Sequence, residues 1–149
     1  MTPKEIIAAL NGALNAELSA VEMYTAHARA ILEPGIAQAV QAIRDVEQGH
    51  AQALAARVRA LGGEPVAAGG AATVAGRAAG AVSAQMGTVE MLRLELAEEQ
   101  KAILDYAKSI AHIMDDEETM DLLEENLLDE IRHARWMKAR ILELEGKPS

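Results

Sequence analysis

Apolar residues recur every three or four positions along four long stretches of the chain, which is the period of an amphipathic α-helix. In the first stretch, for example, Ile6 and Leu10 begin such a series. Gly62 and Gly146 follow the second and fourth stretches, with Pro148 beyond, and these residue types commonly end helices. The pattern predicts an all-α protein with helices over four ranges: 3–32, 36–61, 88–114 and 117–145.

The connections between these helices differ in length. Only a few residues join the first helix to the second and the third to the fourth, so each pair is expected to form an antiparallel hairpin. Residues 62–87 separate the pairs, and about 25 residues reach roughly 80 Å when extended. We therefore expect one domain over 1–149, an antiparallel four-helix bundle with a long crossover between helices two and three. The alanine-rich crossover has room for a helical turn or two, which the pattern does not place.

Each apolar stripe also contains ionisable residues near the middle of its helix. Antiparallel packing keeps the helix midpoints at one height, so these side chains are expected to meet inside the bundle. The set comprises four carboxylates and two imidazoles: Glu17, Glu47, His50, Glu99, Glu130 and His133.

Four carboxylates in a core require positive charge. An unpaired buried charge costs several kcal/mol or is forced to accept a proton, and no lysine or arginine shares these stripes. Two divalent cations would neutralise the four carboxylates directly. A carboxylate-rich set with imidazole and without thiolate favours iron or manganese, so Fe/Fe, Mn/Fe and Mn pairs all stay open.

The two halves of the chain repeat this arrangement. The segment ELSAVEMY at 17–24 matches EQKAILDY at 99–106, each a glutamate followed seven residues later by a tyrosine. The segment EQGH at 47–50 likewise matches EIRH at 130–133. Within the halves, 30 and 31 residues separate the paired glutamates. Two hairpins related by a pseudo-twofold axis produce such a pattern.

Three residues near this set are candidates for supporting roles. Tyr24 and Tyr106 either donate electrons or hydrogen bonds at the metal centre or are ordinary core tyrosines with a bonded hydroxyl. Asp129 is placed to orient a metal-bound histidine by accepting a hydrogen bond. Its counterpart in the first half, Val46, cannot do so.

The other glutamates of the third helix and two further histidines are assigned to the surface or to helix ends. On the third helix Glu99 is the preferred ligand, because it continues both the apolar stripe and the repeat. Three alternatives stay open for Glu95 and Glu98: one of them joins Glu99 as a ligand, one of them replaces Glu99, or they belong to a solvated face. We favour the solvated face. His27 and His112 have no glutamate three residues before them, so we expect both at the surface or at helix ends.

These motifs resemble the ferritin-like superfamily, and in particular bacterioferritin and rubrerythrin-type di-iron domains, over nearly the whole chain outside 62–87. One glutamate on each of two helices, with a Glu-x-x-His motif on each of the other two, is the general description of di-iron and di-manganese carboxylate bundles. The resemblance implies that Glu47 and Glu130 bridge two iron ions. It makes Glu17 and Glu99 terminal ligands beside the two histidines, and it implies a homodimer or a larger homo-oligomer.

Two departures from those families change the expected cofactors and partners. Bacterioferritin has a haem-ligating methionine directly after the glutamate of its first Glu-x-x-His motif, where this chain has Gln48. No haem is therefore expected. Rubrerythrin adds a four-cysteine rubredoxin domain, whereas this chain has no cysteine. Any electron donor is therefore expected to be a separate molecule.

Composition narrows the function classes further. A formal charge of -9 repels phosphate backbones, and three aromatic residues in all offer no platform for stacked bases, so nucleic-acid binding is not expected. The crossover is too weakly apolar for a membrane span. The first twenty residues lack a basic start and an apolar run, so we expect no signal peptide and a cytoplasmic location.

The leading hypothesis from the sequence is a non-haem di-iron protein that oxidises Fe(II) with O2 or hydrogen peroxide, in iron handling or peroxide removal. One alternative is a di-iron oxygenase that hydroxylates an organic substrate. The other is a non-catalytic helical module that holds zinc or no metal. Iron or manganese in the purified protein fits the first two hypotheses, whereas zinc alone fits the third.

Overall fold

The computed structural model describes residues 1–147, and the predicted helix-ending Pro148 lies outside them. All regular secondary structure in this range is helical. None of the helices combines the length and the apolarity needed to cross a membrane. The five helices are α1 (Pro3–Ala30), α2 (Pro34–Ala60), α3 (Ala71–Ser83), α4 (Thr88–His112) and α5 (Glu117–Leu144).

Local signals define the ends of the long helices. At the start of α1, Thr2 Oγ1 accepts a hydrogen bond from the Glu5 backbone N–H, and the Glu5 carboxylate accepts one from the Thr2 N–H, forming a capping box. Helix α2 begins at Pro34, two residues earlier than predicted, because proline suits the first turn. After α5, Gly146 adopts a φ of 69°, a conformation that favours glycine.

The four long helices form the predicted antiparallel bundle. Helix α1 packs against α2, and α4 packs against α5, as expected for helices joined by short connections. Helix α1 also contacts α4, and α2 contacts α5, which closes the bundle. The all-α four-helix fold with a long crossover is thus confirmed.

A polar layer divides the apolar core into two clusters. The two helices of each pair run in opposite directions. Each long helix contributes residues to both clusters, one on either side of its ionisable residues. One cluster includes Tyr24, Val40, Leu92 and Met137, and the other includes Leu10, Leu14, Leu54, Val58 and Leu123. The packing therefore brings the middle of every long helix to the same height.

The crossover is more ordered than predicted. It contains the 13-residue helix α3, where the pattern allowed only a turn or two, and this helix packs along α1. Gly76 and Gly80 make the contact possible, because a Cβ atom at Gly76 would lie 2.3 Å from the carbonyl oxygen of Ser19 and one at Gly80 would lie 3.0 Å from Met23 Cα. Helix α3 consequently covers a face of α1 that the four-helix pattern alone leaves open.

We predict that Gly76→Ala destabilises the protein by about 1–3 kcal/mol, because the added methyl group forces α3 away from the α1 backbone. Gly12→Ala is the matched control, since nothing lies within 4 Å of a Cβ at that position in α1. It should stabilise the protein by up to about 1 kcal/mol through helix propensity. Urea denaturation followed by circular dichroism measures both effects. Equal free energies of unfolding for the two variants would contradict the close α1–α3 contact.

Candidate metal centre

The structure places all six predicted metal-ligating residues in the polar layer at mid-height of the bundle. Each of the four long helices contributes, and every one of the six residues is more than nine-tenths buried. Helix α1 supplies one carboxylate and α4 another, while α2 and α5 each supply a Glu-x-x-His pair. The six are Glu17, Glu47, His50, Glu99, Glu130 and His133.

These residues form two groups of four. In each group, the four candidate ligand atoms lie within 4.8 Å of one another. One group is Glu17, Glu47, His50 and Glu130, and the other is Glu47, Glu99, Glu130 and His133. Glu47 and Glu130 belong to both groups, so the geometry suits two adjacent cations that share two carboxylates.

Several polar atoms of this layer have no hydrogen-bond partner among the described residues. Oε2 of Glu99, Oε1 of Glu130 and Nδ1 of His133 are buried without a hydrogen bond. Within residues 1–147, no lysine or arginine forms an ion pair with any of the four glutamates; only the two histidines do. Buried polar atoms left this way are costly. The donor set therefore fits divalent iron or manganese, which would neutralise the carboxylates.

Both histidines direct Nδ1 toward the carboxylates. Nδ1 of His50 lies 3.1 Å from Oε2 of Glu47, 3.3 Å from Oε1 of Glu17 and 3.2 Å from Oε1 of Glu130. The Nε2 atom of His50 lies 2.9 Å from Oδ2 of Asp129. The predicted orienting role of Asp129 thus has a geometric basis, and the histidine that it contacts lies in the other half of the repeat.

His133 has looser contacts. Its Nδ1 lies 3.3 Å from Oε1 of Glu47, 3.5 Å from Oε1 of Glu99 and 3.8 Å from Oε1 of Glu130. Since all three carboxylates surround the same nitrogen, this atom also faces the space between the glutamates.

The two tyrosines form reciprocal hydrogen bonds across the bundle. The Tyr24 hydroxyl on α1 donates to Oε1 of Glu99 on α4 over 2.9 Å. The Tyr106 hydroxyl on α4 donates to Oε1 of Glu17 on α1 over 2.6 Å. Asn126, which the sequence analysis did not single out, donates to the Tyr106 hydroxyl. The tyrosines therefore fix the orientation of the two carboxylates that belong to only one group each.

Burial and crowding shift the pKa values of these groups strongly. Burial raises the pKa of Glu47 and of Glu130, and neighbouring carboxylates raise both further. Burial lowers the pKa of His50, but its contacts with Glu130, Glu17 and Glu47 outweigh this, so the net shift is upward. Burial followed by the charges of nearby glutamates raises the pKa of both tyrosines, which keeps their hydroxyls protonated as donors.

The pKa of Glu99 shifts in the opposite direction from those of Glu47 and Glu130. Burial raises its pKa, but the nearby polar groups of His133, Glu47 and Glu130 lower it by more. The net pKa is therefore below its ordinary value. A carboxylate that stays charged in the core is suited to bind a cation.

The predicted solvated face for Glu95 is wrong, and so is the surface alternative for His27, although His27 does lie in the last turn of α1. His27 and Glu95 are fully buried. Nδ1 of His27 lies 2.5 Å from Oε2 of Glu95, and Nε2 of His27 lies 2.6 Å from Oγ of Ser83 in α3. The error has a physical cause, because the face of α1 that carries His27 is covered by a crossover helix that the pattern did not place. The expected helix-end position of His112 agrees with its place as the last residue of α4.

The three neighbouring glutamates of α4 now separate clearly. Glu99 belongs to one of the two candidate groups of four, Glu98 is exposed, and Glu95 pairs with His27 outside both groups. Burial raises the pKa of Glu95, and its contact with His27 partly offsets this shift. Glu95 therefore lies next to the two candidate groups of four without joining them.

Comparison with known proteins agrees with this geometry. The sequence model of the ferritin-like domain matches residues 7–146. The chain belongs to the ferritin-like family. No curated protein sequence matches it at a significant level. The family assignment accounts for a bundle with carboxylates and histidines at its centre.

Among the solved structures that share the ferritin-like fold, three illustrate the likeness. The bacterioferritin-related protein of Bacteroides fragilis, described as a dodecameric thioferritin, has a TM-score of 0.83 at 22% identity, over 97% of this chain and 89% of that one. Rhodobacter capsulatus bacterioferritin, solved with haem iron and a metal-free dinuclear site, has a TM-score of 0.78 at 24% identity, over 95% and 86%. A ferritin-like di-iron carboxylate protein of Bacillus anthracis has a TM-score of 0.74 at 26% identity, over 93% and 96%.

We predict that the metal-free protein loses stability as pH rises from about 5.5 to 8.5. The raised pKa values of Glu47, Glu130 and His50 mean that the folded state binds more protons than the unfolded state in this window, so proton loss favours unfolding. The lowered pKa of Glu99 acts in the opposite direction, but only near and below its ordinary value of 4.5.

Thermal unfolding in the presence of a chelator, across this pH range, measures the effect. Glu47→Gln should make the decline in Tm shallower, because it removes one of the carboxyls that must lose a proton. A Tm that stays constant or rises with pH in the metal-free protein would contradict the buried, uncompensated cluster.

We predict that Ser83→Ala destabilises the protein by about 1–3 kcal/mol, because it leaves Nε2 of His27 buried without a partner. Ser109→Ala is a suitable control. Ser109 is half-buried in α4, and no hydrogen bond to its hydroxyl is seen among residues 1–147. The control should change the free energy of unfolding by less than about 0.5 kcal/mol. Equal effects in chemical denaturation would show that the contact of His27 with Ser83 does not stabilise α3.

Proposed function

We propose that this ferritin-like protein is a non-haem di-iron protein that oxidises Fe(II) with O2 or hydrogen peroxide, and so serves iron handling or peroxide removal. The observation that carries the proposal is the pair of four-residue groups that share Glu47 and Glu130. Each group offers three carboxylates and one imidazole nitrogen. Two iron ions bound there would supply one electron each to the oxidant.

Charge balance supports a pair of divalent ions at this place. Four carboxylates converge where no lysine or arginine of residues 1–147 pairs with them. Two divalent cations bring four positive charges to four negative ones. Ligands must be deprotonated to bind, so cation binding would release the protons that burial otherwise retains on Glu47 and Glu130.

The chain's own residues prepare the site for this chemistry. Tyr106 and Tyr24 hold the carboxylates of Glu17 and Glu99 in fixed orientations through short hydrogen bonds. The two apolar clusters above and below exclude bulk water from the polar layer. Packing and these hydrogen bonds hold the ligand side chains in place, which suits the centre to two adjacent cations.

The space beside the glutamates favours a small oxidant over an organic substrate. A cavity of about 20 Å³ lies between α1 and α4, and its walls include Ala16, Ala20 and Ala102 together with Glu17 and Glu99. This volume accommodates about one water-sized molecule. None of the six metal-ligating residues lines the larger surface grooves found in residues 1–147. The proposal therefore favours O2 or hydrogen peroxide over the hydroxylation of an organic molecule.

Assembly and electron supply follow the same reasoning. The B. fragilis relative is described as dodecameric, and we propose that this chain likewise forms a homodimer or a larger homo-oligomer.

The chain has no cysteine for an internal thiolate redox centre, so a separate electron donor would reduce the irons in a peroxidase cycle. Gln48 occupies the position of the haem-ligating methionine of bacterioferritin, and the proposed centre is therefore non-haem.

We predict that the wild-type protein binds two Fe(II) per chain under anaerobic conditions and oxidises them on addition of O2 or hydrogen peroxide. Glu99→Gln should weaken binding of one of the two ions by about tenfold or more, since a lost ligand costs at least what a lost supporting contact does. Glu47→Gln should weaken both, because Glu47 belongs to both groups. Equilibrium dialysis with iron analysis gives the stoichiometry, and oxidant consumption gives the rate.

Glu98→Gln provides the matched control. Glu98 precedes Glu99 on the same helix and carries the same charge, but its side chain is exposed. This variant should retain two bound ions, because Glu98 lies outside both groups of four; its side chain also lines the small cavity beside Glu99, so it serves as a control for binding only. Binding of zinc alone, or binding that is equally weak in the Glu98 and Glu99 variants, would refute the proposed function.

A further inference from the structure

We propose that the two cation positions are not equivalent: the position beside His50 binds a divalent cation more tightly and fills before the position beside His133. This inference rests on the proposed function, because it concerns the order in which the same two ions bind. The side chain that creates the difference is Asp129 on α5.

Asp129 supports the far side of His50. While Nδ1 of His50 faces the carboxylates, its Nε2 lies 2.9 Å from Oδ2 of Asp129. Arg132 donates to Oδ1 of Asp129 over 3.0 Å, so the carboxylate is itself held in place. A histidine whose second nitrogen donates to a carboxylate has a fixed ring orientation and a more basic ligating nitrogen.

The pseudo-twofold repeat shows what His133 lacks. Asp129 directly precedes the Glu-x-x-His motif of α5, and Val46 directly precedes that of α2. A valine side chain accepts no hydrogen bond. Arg132 also corresponds to Gly49, which has no side chain. Among residues 1–147, all the carboxylate contacts of His133 are made by its Nδ1, and no carboxylate pairs with its Nε2.

Most other features of the two positions are matched. Each has the shared carboxylates of Glu47 and Glu130 and one further glutamate, and each of those further glutamates accepts a hydrogen bond from a tyrosine. The contacts of Nδ1 are 3.1–3.3 Å for His50 and 3.3–3.8 Å for His133. The orienting carboxylate is therefore the clearest difference between the positions. Removing such a carboxylate typically costs about 10–100-fold in metal affinity.

Calorimetric titration of the full-length, metal-free protein with Co²⁺ tests the inference. Wild-type protein should bind two ions per chain in two steps whose dissociation constants differ by about tenfold or more. Asp129→Val, which copies the residue at 46, should weaken binding at the position beside His50 by about 10–100-fold, so that the first step weakens to about the affinity of the position beside His133. Val46→Asp adds the missing carboxylate at an exposed position, and it should tighten the second step.

Asp45→Asn is the control for charge alone. Asp45 is an exposed carboxylate next to Val46 that pairs with Arg44, and the structure places it in contact with neither histidine. Its removal should leave both steps unchanged. Circular dichroism of the metal-free variants verifies that they are folded. Val46→Asp adds a carboxylate at an exposed position, so it tests the inference even if Asp129→Val fails to fold.

The outcomes separate this inference from the proposed function. Two ions that bind in one indistinguishable step would overturn the inference and leave the di-metal function standing. An unchanged first step in Asp129→Val, or an unchanged second step in Val46→Asp, would overturn it as well. Absence of Co²⁺ binding altogether would overturn both the inference and the proposed function.

Discussion

The convergence of four carboxylates in the middle of an apolar bundle is the constraint that shapes this protein. Burial alone would force protons onto Glu47 and Glu130, and their pKa values are raised accordingly. Two histidines supply the polar partners, yet several polar atoms remain unpaired. A pair of divalent cations would satisfy these atoms and neutralise the layer. The apolar clusters on either side then act as a rigid scaffold that holds ligands from four helices at one height.

Pseudo-twofold symmetry organises the layer, and departures from that symmetry give the two halves different properties. The crossed hydrogen bonds from Tyr24 to Glu99 and from Tyr106 to Glu17 follow the symmetry closely. Two features break the symmetry. The first half has Val46 where the second half has Asp129, and the single helix α3 packs on α1. Because the fold is common to proteins of different function, such local differences, rather than the bundle itself, determine what the centre does.

The long helices and the six metal-ligating candidates could be predicted from the sequence because a glutamate or histidine within an apolar stripe is a strong signal. Their role as ligands stays a prediction, although the structure brings them together. Glu95 was misplaced because it pairs with the buried His27, and His27 was misplaced because its other partner, Ser83, belongs to α3. That helix is built mainly from alanine and glycine, so it has no apolar stripe to reveal its length or its partner. Asn126 was also missed, since an isolated asparagine carries no spacing signal.

The most direct test of the central claim is a crystal structure of protein purified without chelators, with anomalous diffraction measured at the iron and manganese absorption edges. The account predicts two metal peaks, about 3.5–4 Å apart, between the six buried side chains. Glu47 and Glu130 should contact both peaks. Absence of metal between these residues, or their side chains turned outward to solvent, would contradict it.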